Sequence, residues 1–587
     1  MAQNQPNRKN KTGNYIITVL SVIGLIACVA VLFPQVRRII MDLAERILHR
    51  EASTYQSWLK ALLSYAVGGI CFILFFDYCT LTDSGRALAH KVKQEVKDCL
   101  SEIDFRPFLK PVLIMSGVYL LGILTIIRAN FSYLDDLGRV VAGYRGWYNW
   151  SRYVSEFSSI FVHGDTNLTD ISPLPQMLAV LILAVSSVLL VYVIGNKKIT
   201  LVRLLASIPL GLSPYFLECL AFKFDAPYMA LSILASIVPF LFIARKKAFF
   251  FCSVVCLLVM CTTYQAVSGI YPLIVIILSF QAWNTRKKPD KEILSFLWRA
   301  ALAFGVAMLI FKFFLMKPSD EYASTAMYPA AHLVSGALNN IKNYALIVNH
   351  DLGMIWKAGI LLVLFFFIIK SIYQSQHKKL LPFFVSVLVI GVSFILSYGL
   401  YILLANPLYL PRALMGFGVF LAVLCIYAVS DYKKIAVVAV LALNWCLFIF
   451  AFSYGNALAD QARYAEFRVS ILLHDLSDLY PNQSREGAIP IQLKNSIDFA
   501  PSIKNIAKHY PVIEKLVPKR LAEDYCWENY YFTEHFNYCK YRSINILTNI
   551  PSEKYIDFNT LNLPVVSDSY YHTIQSDGNH ILIVLKH

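Results

Sequence analysis

Apolar and polar positions alternate along this chain in long blocks rather than residue by residue. Apolar runs recur near 14–34, 60–80, 108–129, 175–195, 199–219, 226–244, 248–264, 266–283, 294–316, 352–373, 380–404, 411–430 and 434–454. Each is about 20 residues long, enough to cross roughly 30 Å of hydrocarbon as a helix, so the pattern predicts about thirteen spans. The first run is too long, and lacks the small-residue cleavage site, to read as a removable signal peptide, and it is expected to stay as an anchor. Two stretches between runs carry helical periodicity instead. In 36–59, Ile39, Ile40, Leu43, Ile47 and Leu48 share a face with Arg37, Arg38, Arg46 and Arg50 around them. In 84–104 the repeat is Leu88, Val92, Val96, Leu100 and Ile103. Both read as amphipathic helices riding on the lipid surface.

After residue 455 the composition turns mixed and polar, with a helical pattern at 458–479 and strand-like runs "RSINILT" and "HILIVLKH". The chain thus divides into an N-terminal two-span region 1–107, a membrane core 108–454, and a C-terminal domain 455–587 of mixed helix and strand. The expected fold is an all-α polytopic membrane protein with a C-terminal α+β domain.

Composition agrees, with 57% hydrophobic and 15% charged residues among 587. A net charge of +16 would fit a nucleic-acid partner, but its distribution argues against one. The basic pairs and triplets Lys197-Lys198, Arg245-Lys246-Lys247, Arg286-Lys287-Lys288, Lys378-Lys379 and Lys433-Lys434 are each separated by two apolar spans, as cytoplasmic turns are. On that reading 130–174, 220–227, 264–266, 317–351, 405–411 and everything beyond 455 face outward, and the N-terminus, with Arg8, Lys9 and Lys11, lies inside. The basic segment 36–59 falls on the wrong side of this scheme, which is why it reads as lying on headgroups. Among twelve cysteines, Cys526 and Cys539 are the two in the C-terminal region, where an outward location makes a disulfide plausible. No zinc or redox spacing occurs, and nothing in the sequence sets an oligomeric state.

The outward segments carry the chemistry. "FSYLDDLGRVVAGYRGW" contains Asp135, Asp136, Arg139, Tyr144, Arg145 and Trp147; "SPYFLECLAFKFDAPYMALS" contains Glu218, Lys223 and Asp225; Tyr264 and Gln265 come next, and then Arg412 in "NPLYLPRALMGFG". Charged groups at span ends are costly unless paired or wet, so their gathering on one face suggests a site there. Two adjacent carboxylates cannot both ionise cheaply, which suits a general base. Arg139, Arg145 and Arg412 can bind phosphate bidentately, and Tyr144, Trp147, Tyr148 and Trp150 offer flat faces to sugar rings. Simpler readings stand beside these. Adjacent aspartates after a helix are more often a cap or a solvated turn. The aromatics fit an interfacial belt, Lys223 and Asp225 can pair with each other, and a lone Arg412 fits a snorkelling anchor. Gly138, Gly143 and Gly146 match no nucleotide fingerprint.

Taken in order, "YLDDLGRVVAGYRGW", "SPYFLECLAFKFDAPYMALS", "YQAVSGIY" and "PRALMGFG" resemble the bacterial serotype-converting O-antigen glucosyltransferases of the glucosyltransferase II type. The resemblance spans roughly 108–454, and its first two motifs are the specific ones. It implies a GT-C-like enzyme of the bacterial inner membrane that takes glucose from undecaprenyl phosphate-glucose. The acceptor would be a lipid-linked O-antigen glycan on the periplasmic face. Asp135 and Asp136 match the acidic motif that supplies the base; Arg139, Tyr144, Arg145 and Trp147 match the stretch around it; Glu218 and Asp225 match the second motif. Many relatives continue into a Gly-Arg-Pro-Leu-like stretch, whereas this chain reads "YNWSRYVSEF", which leaves open whether Arg152 takes that arginine's place.

The mechanism expected is a single displacement with inversion, with Asp135 or Asp136 as base and Arg412, together with Arg139 or Arg145, on the phosphate. A lipid monophosphate is a less charged leaving group than a pyrophosphate, so arginines can serve it and no metal is assigned, although two carboxylates are compatible with magnesium or manganese. Tyr144, Trp147, Glu218, Lys223, Asp225, Tyr264 and Gln265 are the expected substrate contacts. An O-antigen polymerase or ligase and a lipid-linked sugar transporter are the competing classes. A transporter would place ionisable groups near the bilayer midplane rather than at span ends.

Overall fold

The computed structural model describes eight scattered residues between 86 and 98, then 106–317, 324–378, 380–430, 433–480, 489–521, 544–546 and 558–586. The spans expected at 14–34 and 60–80, the stretch 36–59, and Cys526 and Cys539 lie outside the described residues, and the scattered described residues of 84–104 are helical. The membrane core and the C-terminal domain belong to one unit, Arg106–His587.

Seven helices among the described residues are long and apolar enough to cross a membrane: Leu174–Ile194, Lys246–Thr263, Gln265–Asn284, Asp290–Leu315, Met354–Gln374, Pro411–Ala428 and Lys434–Leu479. Each coincides with an apolar run of the sequence. The other four runs of the core are shorter or broken as helices, so seven of the eleven spans expected of the core are single long apolar helices among the described residues.

The run 199–219 becomes Leu201–Leu212 and Pro214–Ala221, bent by 63°. The cause is local. The hydroxyl of Ser213 caps the second helix by accepting from the Phe216 amide, and Pro214 opens that helix without an amide to give to the first. Counting the bent pair as one span gives eight. The run 226–244 passes from α-helix Ala226–Ile237 into a tighter turn at Val238–Phe242 that contains Pro239. The run 108–129 divides into Arg106–Gly122 and Leu124–Ala129, and 380–404 yields only Leu380–Leu396 as α-helix.

Pro411–Ala428 is almost wholly enclosed by other helices, whereas Asp290–Leu315 turns Leu294, Trp298, Leu309 and Phe313 outward. Outward apolar rows of this kind belong against hydrocarbon rather than water.

The helix Lys434–Leu479 has 46 residues, a length of about 69 Å. That is roughly twice the hydrocarbon thickness. Residues 454 and 455, between which composition changes, lie within this one rod. Its far end packs Val469, Leu472 and Leu476 against a five-stranded sheet through Ile489, Ile491, Leu493, Ile581, Ile583 and Leu585. The strands are β1 (Ile489–Lys494), β2 (Ile544–Ile546), β3 (Val565–Asp568), β4 (His572–Ser576) and β5 (Ile581–Leu585), in the spatial order β2-β1-β5-β4-β3. β1 runs parallel to β2 and β5, while β3, β4 and β5 form an antiparallel meander. The strand period of two sends Leu582 of β5 to the opposite face, where it meets Phe558 and Leu563. Both strand-like runs of the sequence are therefore strands, β2 and β5.

Candidate functional site

The helix Leu124–Ala129 ends at Asn130, whose positive φ of 45° lets its amide return to the Ile127 carbonyl. A second positive φ, 42°, occurs at Leu134, inside a turn closed by the Asp136 amide donating to the Tyr133 carbonyl at 2.9 Å. The short helix Asp136–Ala142 begins there and stops at Gly143. At Gly143 φ is +67°, and a Cβ there would run into the Asn167 side chain. The positive φ is what favours glycine at that position, since the Asn167 amide group could turn aside.

This turn treats the two aspartates differently. Asp136 is completely buried. Its Oδ2 accepts from the amides of Tyr133 and Lys223, each at 2.9 Å, while Oδ1 has no hydrogen-bond partner among the described residues. Burial pushes its carboxyl up to about 7, against the opposing effects of the Lys223 amide and the Arg139 charge. The Asp135 side chain is 38% exposed and lies 3.6 Å from Arg139. Asp135 stands at the N-cap position of the helix without capping it through its side chain, so a helix cap is not what this carboxylate provides.

The other residues singled out by sequence assemble around the turn as carboxylate–arginine pairs. Arg139 is buried, pairs with Asp225, and stacks 4.5 Å above Trp147, whose indole N–H also donates to Asp225. Burial works against the Arg139 charge, and Asp225, Asp135 and Asp136 outweigh it, so the guanidinium stays protonated. Glu218 is buried and takes a 2.7 Å bond from the Arg412 guanidinium as well as the Arg412 amide. Arg145 pairs with Glu156 at 3.3 Å.

Two simpler expectations are corrected. Lys223 does not pair with Asp225; its ammonium lies 3.0 Å from Asp170, because Asp225 is already claimed by Arg139 and Trp147. Arg412 is not a lone snorkelling arginine, since Glu218 from another helix meets it inside the protein.

Phe222 links the clusters, lying 4.6 Å from the Tyr133 ring and 5.5 Å under Arg412. Gln265 joins by donating to the Trp150 carbonyl at 3.1 Å. Tyr264 is covered by Arg152, whose guanidinium sits 4.6 Å over its ring. Tyr144 is half-buried within the same loop. Thus all four motifs meet at one place, although they are up to about 280 residues apart in sequence.

Sequence reasoning left Arg152 undecided and passed over Tyr133, Asp170, Leu516 and Arg520. Arg152 is notable because Arg139, Arg145 and Arg412 each have a carboxylate partner and Arg152 has none among the described residues. It and Arg412 both act electrostatically on Tyr264 and Tyr401. Tyr133 sits within the quoted acidic motif and was the one of these with a local signal. No group of three or more metal-ligating side chains occurs among the described residues.

Comparison with known proteins gives two matches. Residues 124–429 match the model of a family described as glucosyl transferase GtrII. An uncharacterized 55.3 kDa protein from the region 5′ of gtrB in Salmonella phage P22 is 24% identical over 442 residues, covering 71% of this chain and 88% of that protein. No solved structure matches.

Proposed function

This chain belongs to the glucosyl transferase GtrII family, and from that premise we propose that it moves glucose from undecaprenyl phosphate-glucose to a lipid-linked O-antigen glycan. The reaction would occur at the periplasmic face of the bacterial inner membrane. Family membership implies a glycosyltransferase, and the apolar helices agree with a membrane location. The lipid donor, the acceptor and the face are supported by the motif resemblance and the basic turns. The gtrB neighbourhood of the phage relative adds to that support.

The observation that carries the mechanism is the inequality of the two aspartates. A base must reach the proton it removes, and Asp135 is the exposed member of the pair. Asp135 takes the proton of an acceptor hydroxyl as that oxygen bonds to the anomeric carbon. The bond from the anomeric carbon to the phosphate oxygen breaks on the opposite side, and undecaprenyl phosphate leaves with the electron pair, inverting the centre. Asp136 keeps the turn in shape from inside. Arg152, uncommitted to a carboxylate among the described residues, holds the donor phosphate beside Arg412. A guanidinium already neutralised by a buried carboxylate gains less from an incoming anion. Tyr144 faces the sugars, whereas Trp147, 1% exposed beneath Arg139 and bonded to Asp225, holds that arginine in place instead of offering a face to substrate.

The test is the O-antigen structure, by NMR, in cells with this protein, without it, and with Asp135→Asn. An added hexose in the first alone supports the reading. No added hexose with the intact protein, or full modification by a stably inserted Asp135→Asn, overturns it. For the face, a periplasmic reporter fused after residue 460 should be active, and a cytoplasmic signal there would invert the scheme.

A further inference from the structure

The residues from Phe131 to Asp136 include a non-glycine position at positive φ, Leu134 at 42°, directly after the left-handed cap at Asn130. Backbone of this kind persists only where its surroundings over-determine it. From within, the Asp136 carboxylate does so. From the other side the constraint comes from the C-terminal domain, outside the residues that match the family. The Arg520 guanidinium donates to the Ser132 carbonyl at 2.5 Å and lies 4.3 Å over the Phe131 ring. The Leu516 carbonyl accepts from the Tyr133 hydroxyl at 2.9 Å.

The segment that carries these groups is itself fixed to the membrane core. Lys515 pairs with buried Asp351 at 2.5 Å, and Asp351 also lies 3.2 Å from the Tyr215 hydroxyl. Tyr510 packs on Trp356 and Phe450, with ring centroids 5.4 and 5.2 Å away. Tyr454, on the long helix, donates to the same Leu516 carbonyl at 3.2 Å. Arg520 exchanges backbone hydrogen bonds with Ile497 of its own domain. Three consecutive residues of the acidic turn are therefore held by a segment whose position the core and the domain both set.

We propose that Arg520, together with the Leu516 carbonyl, is a positioning element of the transferase: by clamping Ser132 and Tyr133 it sets where the Asp135 carboxylate stands. This rests on Asp135 being the base. Arg520 touches no reacting atom in this scheme. It gives the C-terminal domain a part in the chemistry beyond covering the core.

The experiment compares Arg520→Ala, Arg520→Lys and Tyr133→Phe in the full-length protein in detergent, with donor and acceptor titrated separately. A misplacement of the base near 1 Å costs about a hundredfold in rate, so Arg520→Ala should lose roughly ten- to a hundredfold in kcat with donor KM changed less than about threefold. Arg520→Lys should recover part of the loss. Tyr133→Phe keeps the ring against Phe222 but also removes the hydroxyl's 3.2 Å contact with Glu218, the partner of Arg412. A smaller fall in kcat with donor KM unchanged assigns the effect to the Leu516 contact and decides the matter if Arg520→Ala does not fold, and a change in donor KM assigns it to Glu218. Asp135→Asn and Asp135→Asn/Arg520→Ala should turn over equally slowly, because both changes act through one carboxylate.

Unchanged kcat in a folded Arg520→Ala, a change confined to donor KM, or a further fall in the double variant would each overturn the positioning role while leaving the base in place. Full turnover by Asp135→Asn would remove the base assignment, and the positioning role with it.

Discussion

The amide of Lys223 donates to Asp136 Oδ2 across 2.9 Å, joining the acidic turn to a residue 87 positions further along the chain. The same oxygen holds the Tyr133 amide, so one carboxylate satisfies the donors of two buried residues. Asp136→Ala should cost about 1–3 kcal/mol for each orphaned amide, with Asp136→Asn, which keeps an acceptor, costing less. Thermal unfolding in detergent measures this. An alanine variant as stable as the parent would show that the amides find other partners.

The raised carboxyl of Asp136 also gives stability a pH dependence of unusual sign for an aspartate. Its folded value, about 7, lies above the unfolded value near 3.8, so the folded state binds the extra proton between them. Its contribution is full below the unfolded value and is lost as pH rises through about 7, since stability falls with pH wherever the folded state holds more protons. Comparing unfolding of the parent and Asp136→Asn from pH 4 to pH 8 isolates this slope. A parent that gains stability relative to the variant over that window would contradict it.

Glu218 and Arg412 form a pair whose side chains are 2% and 13% exposed. Removing one member leaves the other charged and poorly solvated, at a cost of about 3–5 kcal/mol. Glu218→Gln and Arg412→Met should therefore each destabilise the protein by that order. The double variant should be more stable than the sum of the two losses implies. Additive losses in a double-mutant cycle would mean the pair contributes no coupling.

Arg152 should behave in the opposite way, because it has no carboxylate partner among the described residues to abandon. Arg152→Ala is expected to leave the unfolding temperature nearly unchanged. Loss of a charge-assisted contact of about 1.5–3 kcal/mol should raise the donor KM roughly ten- to a hundredfold. An unaltered donor KM would return the phosphate to Arg412 or Arg139.

Much of the architecture was legible from hydropathy, because an apolar helix long enough to cross a bilayer declares itself in one contiguous run. Seven of the core runs became such helices. The runs that did not, such as 199–219, carry prolines whose effect depends on what surrounds them, and hydropathy averages over that. β2 and β5 were visible as β-branched and apolar stretches. Their sheet order, with sequence-distant β1 and β5 adjacent, was not, since strand pairing is a non-local choice.

At the site, the sequence by itself determined which residues are present, namely two adjacent aspartates, Glu218, Asp225 and the arginines 139, 145 and 412, in short motifs. It did so because charge beside an apolar run is costly and therefore conspicuous. Only the tertiary structure decided their burial and their partners. Adjacent aspartates look alike in sequence, yet folding places Asp136 under the amide of Lys223 and leaves the Asp135 side chain partly exposed beside Arg139. Pairing depends on which helices meet, so Asp225 went to Arg139 rather than to nearby Lys223. Arg520 carried no local signal at all, because a surface-type arginine 388 residues from Ser132 becomes a clamp only when the long helix brings the C-terminal domain back onto the turn.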